Sequence, residues 1–277
     1  MRSSHYSIRV KLLEDSAVGR TNITQGFCKI VIATGVLAVG AGCASVPQTT
    51  AQHMERGYIV MLPGIEGHGW QLHEMGRGLR DAGVDQAIRF VDWGGLVMSS
   101  LDNLTNLKAN RARAAWIAED IRSYQSKYPD RPVTVLGYSG GGGLAILTLE
   151  SLKAKGGKLD RVILCAAAVS PSYPLHNVID QCEHGIINFY SERDWWTLGI
   201  GTRTLGTIDR VYTRSAGHVG FHDADGELLE LAGLTQIHHV RAWSKWGHPG
   251  THLGWLSRAW AREVLAGFIV REGEPPA

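Results

Sequence analysis

The sequence predicts an α/β domain, a mostly parallel central sheet of about six strands flanked by helices. Three observations carry that expectation. From Arg56 onward, short apolar runs alternate with segments whose apolar residues recur at the helical period. One of those runs, Val133 to Leu136, passes through Gly137-Tyr138-Ser139-Gly140-Gly141 straight into a helical stretch. The 277 residues, 44% hydrophobic and 19% charged, suffice for one domain with a full core.

The elements follow in order. Strands are expected at Tyr58–Leu62, Ala87–Asp92, Val133–Gly137, Arg161–Ala166, Gly185–Tyr190 and Gln236–Ala242, each rich in β-branched or aromatic residues. Between them, Trp70–Ala82 reads as a helix. Leu104–Tyr128 reads as another, because Ala114, Ile117, Ala118 and Ile121 recur on one face and Pro129 to Pro132 close it. Leu144–Lys155 follows the glycine turn, and Leu253–Phe268 is the last helix. The stretch Thr197–Glu227 is long, glycine-bearing and weakly patterned, and is a candidate cover for a pocket.

The chemistry begins at Ser139. A serine between a strand and a helix, with glycine on both sides, sits at the tip of a turn too sharp for neighbouring side chains. Strand, Gly-x-Ser-x-Gly and helix together resemble the nucleophile elbow of the α/β-hydrolase family. The resemblance covers roughly residues 56–270, from the family's third strand to its eighth. Its first antiparallel hairpin has no counterpart here, so the core is a minimal version.

In that family an acid and then a histidine follow the serine, each on a loop at the carboxyl end of a strand. The resemblance puts the acid at Asp194, in Ser191-Glu192-Arg193-Asp194 after the fifth expected strand, with Glu192 as the nearer competitor. It puts the base at His252, just before the last helix, with His248 as the rival. Gly250 and Gly254 around His252 are expected to permit a close approach to the elbow. Two backbone N–H groups are needed for the oxyanion. Gly140 would supply one and Ile65, in Pro63-Gly64-Ile65-Glu66-Gly67, the other, with Glu66 second.

Other patterns carry less. His218-Val-Gly-Phe-His222 with Asp223 and Asp225 has the residue types of a metal site, but Gly217 and Gly220 argue against a rigid helix presenting both imidazoles, and no metal is expected. The glycines at 140–143 lack the lysine and hydroxyl of a phosphate loop. No cofactor is required. Trp93, Trp195, Trp196, Trp243, Trp246 and Trp255 fall near strand ends, as an aromatic acyl pocket or as the edge of the core. Cys165, in an apolar run, reads as a buried thiol, and a bridge to Cys182 is left open. A net charge of +2 without a basic run excludes a nucleic-acid partner.

The N-terminus differs in kind. Basic residues up to Lys29 precede the apolar run Ile30–Ala41 and then Gly42-Cys43-Ala44-Ser45. The run suits a signal peptide better than a membrane span, and it resembles a bacterial lipoprotein signal in which Cys43 is lipidated. The expected organisation is a leader at 1–43, a polar tether at 44–55 and the catalytic domain at 56–277. That places the protein at the cell envelope on a lipid anchor; secretion or a periplasmic location is the alternative. The expected activity is hydrolysis of a carboxylic ester, on a small molecule or a lipid, through a serine, histidine and aspartate. The alternatives are an acyltransferase or amidase with the same residues, or a non-catalytic member binding a lipid or partner.

Overall fold

The computed structural model describes residues 49–94, 100–194, 202 and 206–270. Cys43, the leader, Trp195 and Trp196 lie outside the described residues. So do the first half of the tether and much of the start of Thr197–Glu227.

Six strands form one wholly parallel sheet: β1 (Tyr58–Leu62), β2 (Ala87–Phe90), β3 (Val133–Tyr138), β4 (Arg161–Cys165), β5 (Ile186–Tyr190) and β6 (Leu234–His238), ordered β2-β1-β3-β4-β5-β6. This is the α/β architecture expected. The helices before the elbow are α1 (Ala51–Arg56), α2 (His73–Asp81), α3 (Ser100–Thr105) and α4 (Leu107–Lys127), and α5 (Gly140–Ala154) follows it.

Both faces of the sheet are covered, and its central strands β1 and β3 are buried along their length and mostly apolar. Alternate residues still part to opposite sides. Val60, Val135, Val162 and Leu164 join the core under α4 and α5. Met61, Leu136, Ile163 and Cys165 join the core under α2 and the C-terminal segment, with Trp255 and Trp260. At the β2 edge of the sheet, Thr49 Oγ1 donates to the Ile88 carbonyl at 2.9 Å and α1 packs beside β2.

Several expected boundaries move. The helix expected over Leu104–Tyr128 is two helices, because the Asn106 side chain accepts from Ala109 N and caps a new start. Trp70–Ala82 opens as a 3₁₀ turn at Gly69–Leu72 before α2. The last helix is also divided, with Ser257 capping Arg258–Glu263 between 3₁₀ turns. The sixth strand runs earlier than expected, and Arg241–Trp246 is a 3₁₀ helix ended by Gly247 in the left-handed region. Cys165 and Cys182 are both buried free thiols. Burial pushes both upward in pKa, Cys182 to about 12.

Candidate active site at the carboxyl ends of the strands

Ser139 stands between β3 and α5 with φ 54° and ψ −121°, a conformation a residue with a side chain avoids unless its surroundings enforce it. The surroundings are visible in the glycines. A Cβ on Gly137 would stand 2.4 Å from Gly141 O, and one on Gly141 would stand 2.2 Å from Leu62 O. Strand, turn and helix approach too closely for any other residue at these positions. The turn is then tied down, with Ser139 N donating to Cys165 O and Ala168 N donating to Ser139 O.

Three segments meet at this tip. His252 opens the 3₁₀ turn after the β6 connection, and its Nε2 lies 3.0 Å from Ser139 Oγ. Its Nδ1 lies 2.5 Å from Asp194 Oδ2. Asp194 is 2% exposed, held in a tight turn by its N–H to Ser191 O. The Ser191 hydroxyl donates to Gly250 O, so the loop carrying the acid and the loop carrying the histidine are fastened directly to each other. Tyr138 OH donates to His252 O from below, with the two rings 5.0 Å apart.

The rival residues go elsewhere. Glu192 is exposed and makes no hydrogen bond to His252, whose Nδ1 faces Asp194 instead. His248 is fully buried against Trp243, Trp255 and Trp260. Gly250 N donates to its Nδ1, and its Nε2 has no partner but the surrounding rings. Burial and the neighbouring His239 pull its pKa down to about 3, so it stays neutral at any ordinary pH. Gly254 makes room for His248, with a Cβ there 2.4 Å from His248 Nδ1, rather than for the elbow. Trp243 and Trp255 are core, not an acyl pocket.

Opposite His252 stands the turn after β1. Gly67 N donates to Gly64 O at 2.8 Å, which puts Ile65 and Glu66 at its corner. Because a trans peptide points its N–H opposite its C=O, the bond at Gly64 O turns the Ile65 N–H away from the loop interior. A Cβ on Gly140 would stand 3.2 Å from Ile65 N. The two residues are therefore in close contact, and neither amide has a hydrogen-bond partner among the described residues. Two unpaired donors on residues that meet beside a serine suit an oxygen that acquires negative charge.

Sequence reasoning missed what holds that turn. Asn103 Nδ2 donates to Ile65 O at 2.7 Å, Trp93 Nε1 donates to Pro63 O, and the Trp93 and Gly94 amides donate to Gly67 O. Asn103 is itself held by Asn110 Nδ2, and Asn110 by Arg113. No local pattern marks Asn103, because its burial and its partner at Ile65 arise only in the fold.

The described part of the Thr197–Glu227 stretch is tied to the segment that follows β4. Ile208 N, Gly217 N and Ala216 N donate to Ala168, Ala167 and Val169, and a Cβ on Gly217 would stand 2.1 Å from Ala166 C. His218 is buried in it, and both ring nitrogens of His222 face backbone carbonyls.

No protein-family model matches the sequence, and no curated protein matches it. Solved structures with a similar chain path include lipase B of Aspergillus fumigatus, 14% identical with a TM-score of 0.49. That match covers 79% of this chain, which spans only 54% of the lipase. Dienelactone hydrolase from Anabaena variabilis is 13% identical at a TM-score of 0.41, covering 77% of this chain and 83% of that one. The type II thioesterase YbtT of the yersiniabactin pathway is 17% identical at 0.42, covering 77% and 92%. The chemistry of this protein therefore rests on its own side chains.

Proposed function

We infer that this protein is a serine hydrolase that cleaves carboxylic esters through an acyl-enzyme, with Ser139, His252 and Asp194 as its catalytic residues. The observation that carries the reading is the continuous relay from Ser139 Oγ to His252 Nε2 at 3.0 Å and from His252 Nδ1 to Asp194 Oδ2 at 2.5 Å.

A serine hydroxyl is a weak nucleophile until a base removes its proton as it attacks. His252 Nε2 is placed to take that proton, and the buried Asp194 carboxylate fixes the proton of the neutral ring on Nδ1 and stabilises the imidazolium that forms. The Ile65 and Gly140 amides stabilise the tetrahedral oxyanion. His252 returns the proton to the departing alkoxide, and water repeats the sequence to free Ser139. An ester is the favoured substrate because an alkoxide leaves more readily than an amine. The leader adds a location: lipidation at Cys43 would hold the domain at the cell envelope.

A panel of p-nitrophenyl esters of rising chain length tests the activity, with Ser139→Ala as the control. Turnover by the wild type and none by the variant is the expected result. Equal turnover by both would overturn the assignment. Cys43→Ala should release the protein from membranes; continued retention would contradict lipidation.

A further inference from the structure

Glu66 is a charged residue beside the proposed nucleophile that the ester-hydrolase reading does not use. It stands at the corner of the turn that also carries the Ile65 amide, and it is exposed. An exposed glutamate in a polar turn ordinarily extends into water. This one folds back. A Cβ on Gly64 would stand 2.8 Å from Glu66 Oε2, 3.5 Å from Ser139 Cβ and 3.6 Å from the Tyr138 ring. Carboxylate and nucleophile thus flank one small space, kept open by the absence of a side chain at residue 64.

Among the described residues, no basic side chain pairs with that charge. Glu66 has neither a hydrogen bond nor an ion pair to its side chain among the described residues. The basic group at the nucleophile, His252, already faces Asp194. The Tyr138 phenol beneath Ser139 is pushed well up in pKa by burial and then by Asp194 and Glu66, with no basic side chain acting on it. Glu66 holds no part of the fold together, and its charge opposes a developing oxyanion on a neutral ester. A positive group on the substrate would reverse both effects.

We propose that Glu66 is a specificity residue that selects esters carrying a cationic group, such as an ammonium, close to the scissile carbonyl. The proposal rests on the hydrolase reading above. Unit charges at this range in a partly solvated site alter binding on the order of tenfold, which is the discrimination expected between a cationic ester and its neutral isostere. An anionic isostere should be disfavoured by a similar factor. The effect should shrink in high salt, because Glu66 is open to solvent.

The test compares kcat/KM for three p-nitrophenyl esters of matched length: 4-(trimethylammonio)butyrate, 5,5-dimethylhexanoate and hemiglutarate. The order cationic, neutral, anionic is expected for wild type. Glu66→Gln should bring the cationic-to-neutral ratio near one, and Glu66→Lys should invert the order. A wild-type ratio near one, or a ratio unmoved by both variants, overturns the proposal. A second measurement separates it from the hydrolase reading. The rate of Ser139 modification by a cationic and a neutral fluorophosphonate needs no ester turnover. Modification of Ser139 by the neutral probe with no advantage for the cationic one sinks the Glu66 proposal alone. Failure of both probes on folded protein sinks the hydrolase reading with it.

Discussion

His248 and His252 lie four residues apart in one loop, yet they occupy opposite kinds of environment. His252 is partly open, with a carboxylate on one nitrogen and a hydroxyl on the other. His248 is sealed among three tryptophans, accepts one backbone N–H and has no partner for its other nitrogen. Proton transfer needs an imidazole that can be charged and neutral by turns. Packing needs one that never charges. On the hydrolase reading the loop separates two jobs: His248 anchors it in the core, and His252 is presented to Ser139 at 3.0 Å.

The largest effects should come from the first of these environments. Ser139→Ala and His252→Ala should each lower kcat by roughly 10⁴-fold or more with folding intact, because residues acting as a unit fail together. Asp194→Asn should cost on the order of 10³- to 10⁴-fold, since an amide can hold the ring in the wrong tautomer. Steady-state kinetics on a short-chain ester, with circular dichroism as the folding control, checks all three. Next comes the turn opposite. Asn103→Leu frees the Ile65 carbonyl and should lower kcat by about 10²-fold through a displaced oxyanion donor, with KM little changed. A pure rise in KM would show that Asn103 has no part in positioning that amide.

The second environment should answer in stability instead. His248→Ala opens a cavity in the tryptophan cluster and should cost about 2–4 kcal/mol in urea denaturation, while the kcat of the folded fraction keeps its order of magnitude. A collapse of kcat with unchanged stability would exchange the roles of the two histidines.

The smallest effect is one of pH. His248 keeps its proton off in the folded state down to about 3, whereas the unfolded chain takes one up near the ordinary imidazole value of 6.5. Below that value the unfolded state binds more protons, so stability falls as pH falls, by at most about 1.4 kcal/mol per pH unit for this group. The contribution is fully present above pH 6.5 and is lost progressively toward 3. Buried His218 and His239, and the part-buried His73, are also lowered chiefly by burial and act in the same direction. Urea titrations at pH 7 and pH 5 should differ in that sense, and the slope should lessen in a folded His248→Phe variant.

The comparison also shows what a sequence can and cannot reveal. The strands were legible because each is a short apolar run, and Ser139 was legible because only a strand, a glycine-flanked turn and a helix in succession make that elbow. Asp194 and His252 follow from chain order, by resemblance. The choice between His248 and His252 was open, because it depends on Trp255 and Trp260, which reach back onto His248 only after the chain has turned. The breaks at Asn106 and Ser257 were hidden for a different reason: the apolar period continues across both, and only the capping hydrogen bond marks the stop. Asn103 and Glu66 act through contacts with residues distant in sequence or through a folded-back side chain, and local patterning carries neither.

The central claim is that Ser139 is a nucleophile activated by His252 and not by His248. Fluorophosphonate treatment followed by peptide mass mapping tests it most directly on the wild type and two variants. The expected result is an adduct on Ser139 in the wild type and in folded His248→Phe, and almost none in folded His252→Ala. An adduct that survives His252→Ala and vanishes in His248→Phe, or a folded wild type that takes no label at Ser139, would contradict the account.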